Sequence, residues 1–223
     1  MKTIAINTTL ILVLIFSLLS CKKHPRVSEE EAYYNFDATD HARIPDHVVG
    51  QELLYKNENG GQITFTVSSF DLSEKVLYGE GMGFFSSYAA EYFYYDRLNV
   101  EYTDDSGYAY NVSYQKWPVN LESAKADPYK KQASTLLIQI SFFPYWNEAD
   151  EYGYPVSYLP VNASYGQIAI LTINGKTYDG VLKIVSNSNV PFSEKRNVNV
   201  IYYYEGIGII GFDDLDNNHW RLQ

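Results

Sequence analysis

Cys21 is the residue whose surroundings most clearly specify a chemistry, and it is the single cysteine of the chain. It follows Leu18-Leu19-Ser20, the order of a lipobox: the thiol forms a thioether with diacylglycerol, and a small residue precedes the peptide bond that is cut. Upstream, Met1-Lys2 and the apolar residues 10–16 have the pattern of a secretory signal. The sequence therefore predicts a lipoprotein signal peptide over residues 1–20 and a lipid anchor on Cys21.

Two alternatives explain this leader less well. An ordinary cleavable signal would need an Ala-x-Ala-like site, and none lies just upstream of Cys21. A permanent membrane helix needs about 20 apolar residues, whereas Asn7-Thr8-Thr9 interrupts this stretch. Because the folded part then contains no thiol, disulfides, cysteine-bound zinc and cysteine nucleophiles are excluded there.

A partial calcium-binding pattern lies near the end of the chain. The spacing Asp214-x-Asp216-x-Asn218 opens like a calcium loop, in which alternate oxygens converge on one ion. His219 stands where that loop has glycine, and no bidentate glutamate follows. The pattern therefore predicts a solvated hairpin turn.

A second group of acids and histidines combines imidazole with carboxylate, the ligand types of a divalent metal. Its members are Asp37, Asp40, His41, Asp46 and His47. They lie in or beside a charged segment in which polar residues are expected anyway. We therefore expect no metal site and no cofactor.

Hydrolytic chemistry has only weak support. The four histidines (His24, His41, His47 and His219) lie near the chain ends, and no Gly-x-Ser-x-Gly elbow occurs. Glycoside hydrolysis needs two acids that flank a sugar, which could come from Glu148, Asp150 and Glu151. Acids in a loop are ordinarily just solvated, so we predict no catalytic residue and a non-enzymatic protein, with a polysaccharide hydrolase as an alternative.

Residues 144–167 form a long, proline-rich and aromatic segment. A sugar-binding face uses flat rings for C–H faces and polar groups for hydroxyls. The candidate ligand-binding rings are Tyr145, Trp146, Tyr152, Tyr154 and Tyr158. The competing interpretation is that these rings hold a long loop against the sheet.

The segments around these residues are predicted to be β-strands. Ile63, Phe65 and Val67 alternate with polar neighbours, and about nine such segments are joined by short turns, so the sheet is antiparallel. The turn signals are Asn59-Gly60-Gly61, Asp104-Asp105-Ser106-Gly107, Asn174-Gly175 and Glu205-Gly206. Only residues 121–133 have helical character, interrupted by Pro128. We predict one mainly β domain, an antiparallel β-sandwich or a strongly curved half-barrel-like sheet.

Composition limits the partners. Removing residues 1–20 removes Lys2 and no acid, so the net charge changes from −10 to −11. An acidic domain repels phosphate backbones, which argues against nucleic acid. Residues 21–44 are expected to form the lipidated cysteine and a charged tether, ordered only near its end, and residues 45–223 the β domain.

Two segments in the last part of the sequence resemble known proteins: INGKTYDGVLKI and NVIYYYEGIGIIGFDDLDNNHWRL. They resemble the closing hairpins of uncharacterised lipoproteins and secreted β modules typical of Bacteroidota, and IPDHVVGQELLYKN resembles their entry segment. Lys22 also follows the cysteine where aspartate would signal retention in the inner membrane. The resemblance therefore implies an outer-membrane anchor, facing the periplasm or the cell surface.

Together these patterns predict a membrane-anchored cell-envelope lipoprotein that acts as a binding or structural module. Its partners would be the membrane, through Cys21, and a glycan or an envelope protein. Two binding alternatives stay open: glycan recognition by the aromatic segment, and a carrier of lipid or another hydrophobic ligand. The carrier would require an apolar cavity inside a half-barrel.

Overall fold

The computed structural model describes residues 31–80, 90–107, 109–141, 157–160, 167–185 and 198–223. These residues form twelve strands and two short helices, so the prediction of a mainly β fold is confirmed. The elements are β1 (Tyr33–Tyr34), α1 (Ala38–Arg43), β2 (Glu52–Lys56), β3 (Gln62–Glu80), β4 (Ala90–Asp104), β5 (Ala109–Pro118), α2 (Leu121–Ala126), β6 (Ser134–Ser141), β7 (Ser157–Pro160), β8 (Gln167–Ile173), β9 (Lys176–Val185), β10 (Val198–Tyr204), β11 (Gly208–Asp214) and β12 (His219–Leu222).

The strands belong to one sheet in the order β7-β6-β5-β4-β3-β2-β12-β11-β10-β9-β8. Neighbours in this order are antiparallel. β1 lies outside this order and pairs in parallel with the first part of β4. The pairing of β4 with β5 begins further along β4, at Arg97. The last strand, β12, pairs with β2, so the two ends of the β domain meet inside the sheet.

The four predicted turns lie between paired strands, as expected. They join β2 to β3, β4 to β5, β8 to β9, and β10 to β11. The tightest is Asn174-Gly175, whose φ angles of 51° and 78° are both positive, as a type I′ hairpin turn requires. These short connections explain why neighbours in sequence are mostly neighbours in the sheet.

The sheet curls so strongly that its two halves face each other. The hydroxyl of Tyr203 on β10 lies 3.4 Å from the hydroxyl of Tyr114 on β5. These strands stand six places apart in the sheet order. A flat sheet with strands about 4.8 Å apart would separate them by about 29 Å. The described strands do not close into a barrel, since β7 and β8 end the order.

The space inside the curl is filled by side chains, and five of them are buried tyrosines. These are Tyr55, Tyr102, Tyr110, Tyr114 and Tyr203. Tyr102 stacks on Tyr110 with ring centroids 4.3 Å apart, and the Tyr55 hydroxyl donates to the Ile209 carbonyl at 2.6 Å. Burial raises the pKa of all five phenols well above its usual value.

Residues 31–46, here named the N-terminal arm, lie against this sheet. Tyr34, Phe36 and Ile44 are buried, and Tyr94 N–H donates to the Ala32 carbonyl at 2.9 Å. The last part of the expected tether is therefore ordered and contributes both β1 and α1 to the packed unit, which begins at Glu31.

Candidate functional site

An apolar pocket of about 340 Å³ lies between the N-terminal arm and the β3–β4 hairpin, and is named the arm pocket here. Its lining residues are Phe36, His41, Ile44, Pro45, Asp46, Phe70, Leu72 and Leu98. Six of these eight side chains are apolar. Ligand pockets in proteins typically measure about 300–1,000 Å³ and have mostly apolar walls with a few polar groups. The arm pocket has this size and this composition.

The sheet wall of the pocket consists of cross-strand neighbours. Leu72 of β3 pairs with Leu98 of β4, and Phe70 pairs with Val100. Alternate residues of a strand project to the same face, so Leu98 and Val100 extend the buried core toward the far end of the hairpin. Leu72 is 51% exposed there, which marks the open side of the pocket.

The opposite wall is α1 and the residues on either side of it. Asp37 caps this helix: its carboxylate accepts from Thr39 N–H at 2.8 Å and from Asp40 N–H at 3.0 Å. Asp40 in turn accepts from Asp37 N–H at 2.9 Å, which completes a capping box. This local pattern fixes a six-residue helix that would be marginal in isolation.

Two basic side chains, Lys116 and Arg43, form the ion pairs that hold α1 on the sheet. Lys116 Nζ of β5 contacts Asp40 Oδ2 at 2.5 Å and Asp37 Oδ2 at 2.9 Å. At the other end of the helix, Arg43 forms a two-point contact with Glu205, at 2.5 and 2.9 Å. The hydrogen bond from Lys116 holds the pKa of Asp37 at about 2. Burial alone would lower the pKa of Lys116, but its hydrogen bonds to Asp40 and Asp37 outweigh this and raise it.

The two polar residues of the pocket are exposed at its mouth. His41 meets the ring of Phe36 edge-on at a centroid distance of 5.9 Å. Within the described ranges, neither the His41 imidazole nor the Asp46 carboxylate forms a hydrogen bond or an ion pair with another residue. Both groups are therefore available to a bound molecule.

His47 lies behind the pocket wall and anchors the turn after the arm. Its Nδ1 lies 3.2 Å from Gln51 Oε1, and its ring packs edge-on against Tyr102 with centroids 5.6 Å apart. Burial lowers the pKa of His47. This histidine therefore belongs to the packed core and not to the pocket mouth.

The acids and histidines of the arm, which were considered as metal ligands, do not converge on one point. Asp37 and Asp40 are engaged by Lys116 and by backbone N–H groups, while Asp46 and His41 face the pocket. Among the residues that the structure describes, no three His, Cys, Asp or Glu side chains are grouped so that they could hold a metal ion.

The calcium-like pattern near the chain end is a hairpin turn between β11 and β12, as predicted, but its first acid is buried instead of solvated. Asp214 is 3% exposed. Its carboxylate accepts from Asp216 N–H at 3.0 Å, Asn218 N–H at 2.9 Å and the Trp220 indole N–H at 2.9 Å. Because hydrogen-bond donors surround this carboxylate, its role is to fix the turn.

A polar cluster on the β10–β12 strands was not predicted. Asp213 accepts from Tyr202 and Arg221, each at 2.8 Å, and lies 3.0 Å from His219 Nδ1. Burial, followed by the hydrogen bond to Asp213, raises the pKa of Tyr202 to about 12. A histidine oriented by a carboxylate is one part of a hydrolytic triad. In the described part of the chain, however, no serine or threonine hydroxyl hydrogen-bonds to His219.

The aromatic ligand-binding candidates mostly lie outside the described residues. This applies to Tyr145, Trp146, Tyr152 and Tyr154, to the acids Glu148, Asp150 and Glu151, and to Cys21. Tyr158 belongs to β7, where it pairs with Gln139 of β6. Among the described helices, none is long and apolar enough to cross a membrane.

Phe70 and Leu72 of β3 were not predicted to line a pocket, because the alternation of apolar and polar residues shifts by one position within this strand. The apolar residues Ile63, Phe65 and Val67 alternate, and the next apolar pair, Phe70 and Leu72, is shifted by one position. A register shift between Val67 and Ser69 places both sets on one face. The out-of-phase pair was the signal in the sequence that could have revealed this wall.

Comparison with known proteins gives no relative from which a role could be transferred. No protein-family model, curated protein or solved structure matches the chain. The role of this chain is therefore inferred from its own geometry.

Proposed function

We propose that this chain is a membrane-anchored lipoprotein of the cell envelope that binds a small apolar or amphipathic ligand, without catalysis, in the arm pocket. The observation that carries the proposal is the pocket itself: about 340 Å³, six apolar side chains and two unpaired polar groups at its mouth. Each methylene group that leaves water for such a pocket contributes about 0.8 kcal/mol. An alkyl chain of moderate length would therefore bind measurably.

The arm that forms one wall of the pocket is also the segment that leads to the proposed anchor. Ala32, the first buried residue of the arm, lies eleven positions after Cys21. At about 3.5 Å per residue, this segment spans at most about 40 Å. A pocket held this close to a bilayer suits a ligand that partitions between the membrane and the protein.

No described contact favours the other candidate functions. Glycan recognition and polysaccharide hydrolysis would use residues 144–166, of which the structure describes only residues 157–160. The interior of the curl is occupied by aromatic side chains such as Tyr110 and Tyr114. In the described part of the chain, a ligand of the curl interior would therefore have to displace packed side chains, whereas the arm pocket is open.

The membrane anchor is tested by Cys21→Ser. A serine hydroxyl cannot form the thioether, so we expect cells fed labelled palmitate to label the wild-type protein and not this variant. Ser20→Ala is the matched control, because alanine keeps a small residue before the cut and should preserve labelling. Labelling of the Cys21→Ser variant at the wild-type level would contradict the anchor.

The binding site is tested by Leu72→Glu, studied in the mature chain (residues 21–223) carrying Cys21→Ser so that no detergent is needed. Leu72 is half-exposed at the pocket, so a glutamate there should leave the fold intact but place a charge beside the ligand. We expect the affinity for the neutral fluorescent probe N-phenyl-1-naphthylamine to fall at least about tenfold, or about 1.4 kcal/mol.

Leu77→Glu is the control for this experiment. Leu77 is on the same strand and is 39% exposed, but it does not line the pocket. The Leu77→Glu variant should therefore bind the probe with the same affinity as the parent chain. Equal affinities of the two variants, or no probe binding by the parent chain, would show that the arm pocket is not the binding site.

A further inference from the structure

Among the described lining residues of the arm pocket, Asp46 is the one Asp, Glu, Lys or Arg side chain. The carboxylate of Asp46 lines the pocket and is exposed, and no residue in the described ranges pairs with it. His41 is the second polar group there and also has no polar side-chain partner in these ranges. A head group that enters the mouth would therefore meet an uncompensated negative charge.

The basic side chains that form ion pairs with the arm cannot balance this charge. Lys116 lies between two carboxylates, those of Asp37 and Asp40, and Arg43 is held by Glu205. Asp96, also buried near the arm, accepts from Phe36 N–H at 2.8 Å and from the Tyr33 hydroxyl and forms no ion pair with a described residue. The two basic side chains are therefore already engaged by carboxylates other than that of Asp46.

Two further lysines touch the arm, but neither lines the pocket. Lys75 lies over the ring of Tyr33 at 5.5 Å, and Lys131 lies over the ring of Tyr34 at 6.0 Å. The basic residue next to Leu98, Arg97, faces the other side of the sheet, because successive residues of a strand alternate in direction. No lysine or arginine is therefore among the described lining residues, and His41 is the one nitrogen-containing side chain of the set.

We infer that the arm pocket selects amphiphiles with an apolar body and a cationic, hydrogen-bond-donating head over those with a carboxylate head. This inference rests on the proposed binding function and names its ligand class. The apolar walls would hold the alkyl part, and an ammonium group would donate to Asp46 at the mouth. A carboxylate would be repelled by Asp46 and would meet no lysine or arginine, with only the His41 imidazole to donate to it.

The test compares three probes of equal chain length: decylamine, decanol and decanoate, each below its micelle concentration and near neutral pH. Each displaces N-phenyl-1-naphthylamine from the mature chain carrying Cys21→Ser. We expect decylamine to bind at least about tenfold tighter than decanoate, with decanol between them. In the added variant Asp46→Asn this ratio should fall to about two, since the amide keeps the shape and removes the charge.

Asp71→Asn is the matched control. Asp71 is an exposed acid next to Leu72 that does not line the pocket, so its removal changes the net charge equally and should keep the tenfold ratio. Equal binding of the three probes, tighter binding of decanoate, or a ratio unchanged by Asp46→Asn would overturn the inference while pocket binding stands. Failure of all three probes to displace the dye, together with no effect of Leu72→Glu, would overturn the binding function itself.

Discussion

Raising the pH above about 10 is expected to unfold this protein in one steep transition. The cause is the set of five core phenols, Tyr55, Tyr102, Tyr110, Tyr114 and Tyr203, whose pKa burial raises well above the usual value. In the unfolded chain these groups ionise near pH 10. The unfolded state therefore loses protons that the folded state keeps, so stability is intact below pH 10 and falls as the pH rises.

The expected size of this effect is large. Each tyrosine that stays protonated only in the folded state reduces the free energy of unfolding by about 1.4 kcal/mol per pH unit above 10. Five such groups give about 7 kcal/mol per pH unit. Small domains are typically stable by about 5–15 kcal/mol. The domain should therefore unfold within roughly one to two pH units above 10.

The measurement follows tyrosinate absorbance and far-ultraviolet circular dichroism in the same alkaline titration. We expect the core tyrosines to ionise together with the loss of strand signal. Tyr203→Phe provides a quantitative check, because urea unfolding at several pH values should show a pH slope shallower by about 1.4 kcal/mol per unit. Ionisation of the core tyrosines before the strand signal is lost would contradict the explanation.

The antiparallel fold was predictable because its signals are local. A pair such as Asn174-Gly175 between alternating segments specifies a hairpin through the positive φ angles of two residues. The curl of the sheet is not local, since it depends on Tyr203 meeting Tyr114 across 89 residues of sequence. The sequence therefore predicted a curved sheet or a sandwich without choosing between them.

The wall of the pocket that the arm forms could not be predicted for a related reason. The arm is predicted to be a charged tether because its acids stand in a charged segment without apolar periodicity. Their partner is Lys116, 76 residues beyond Asp40. This lysine follows Tyr110, Val112 and Tyr114 along one face of β5, and no local signal indicates that it meets the arm. Only the folded sheet shows that Lys116 is buried and that the arm covers the apolar residues of β3 and β4.

The second large effect is expected in Lys116→Met, which removes this distant contact and should lower the free energy of unfolding. The side chains of Lys116 and Asp40 are only 8% and 3% exposed, so removing the lysine would leave a buried carboxylate without its counter-charge. Breaking a buried pair from one side typically costs about 3–5 kcal/mol, more than the pair itself contributes. We expect urea unfolding to show a loss of about 3 kcal/mol, since Asp37 N–H still donates to Asp40.

Two further variants separate the buried charge from other causes. Lys130→Met makes the same change at an exposed lysine and should alter the free energy of unfolding by less than about 0.5 kcal/mol. Adding Asp40→Asn to Lys116→Met removes the orphaned carboxylate and should recover about half of the loss. Equal losses in the single and double variants would mean that packing of the lysine stem, and not the unpaired charge, holds the arm.

The same lysine connects stability with ligand binding. Because the arm supplies Phe36, Ile44 and Pro45 to the pocket, loosening α1 removes one apolar wall while the opposite wall on β3 and β4 stays in place. Lys116→Met should therefore weaken binding of N-phenyl-1-naphthylamine at temperatures where the sheet is still folded by circular dichroism. Undiminished binding under these conditions would show that the arm keeps its position without the buried ion pair.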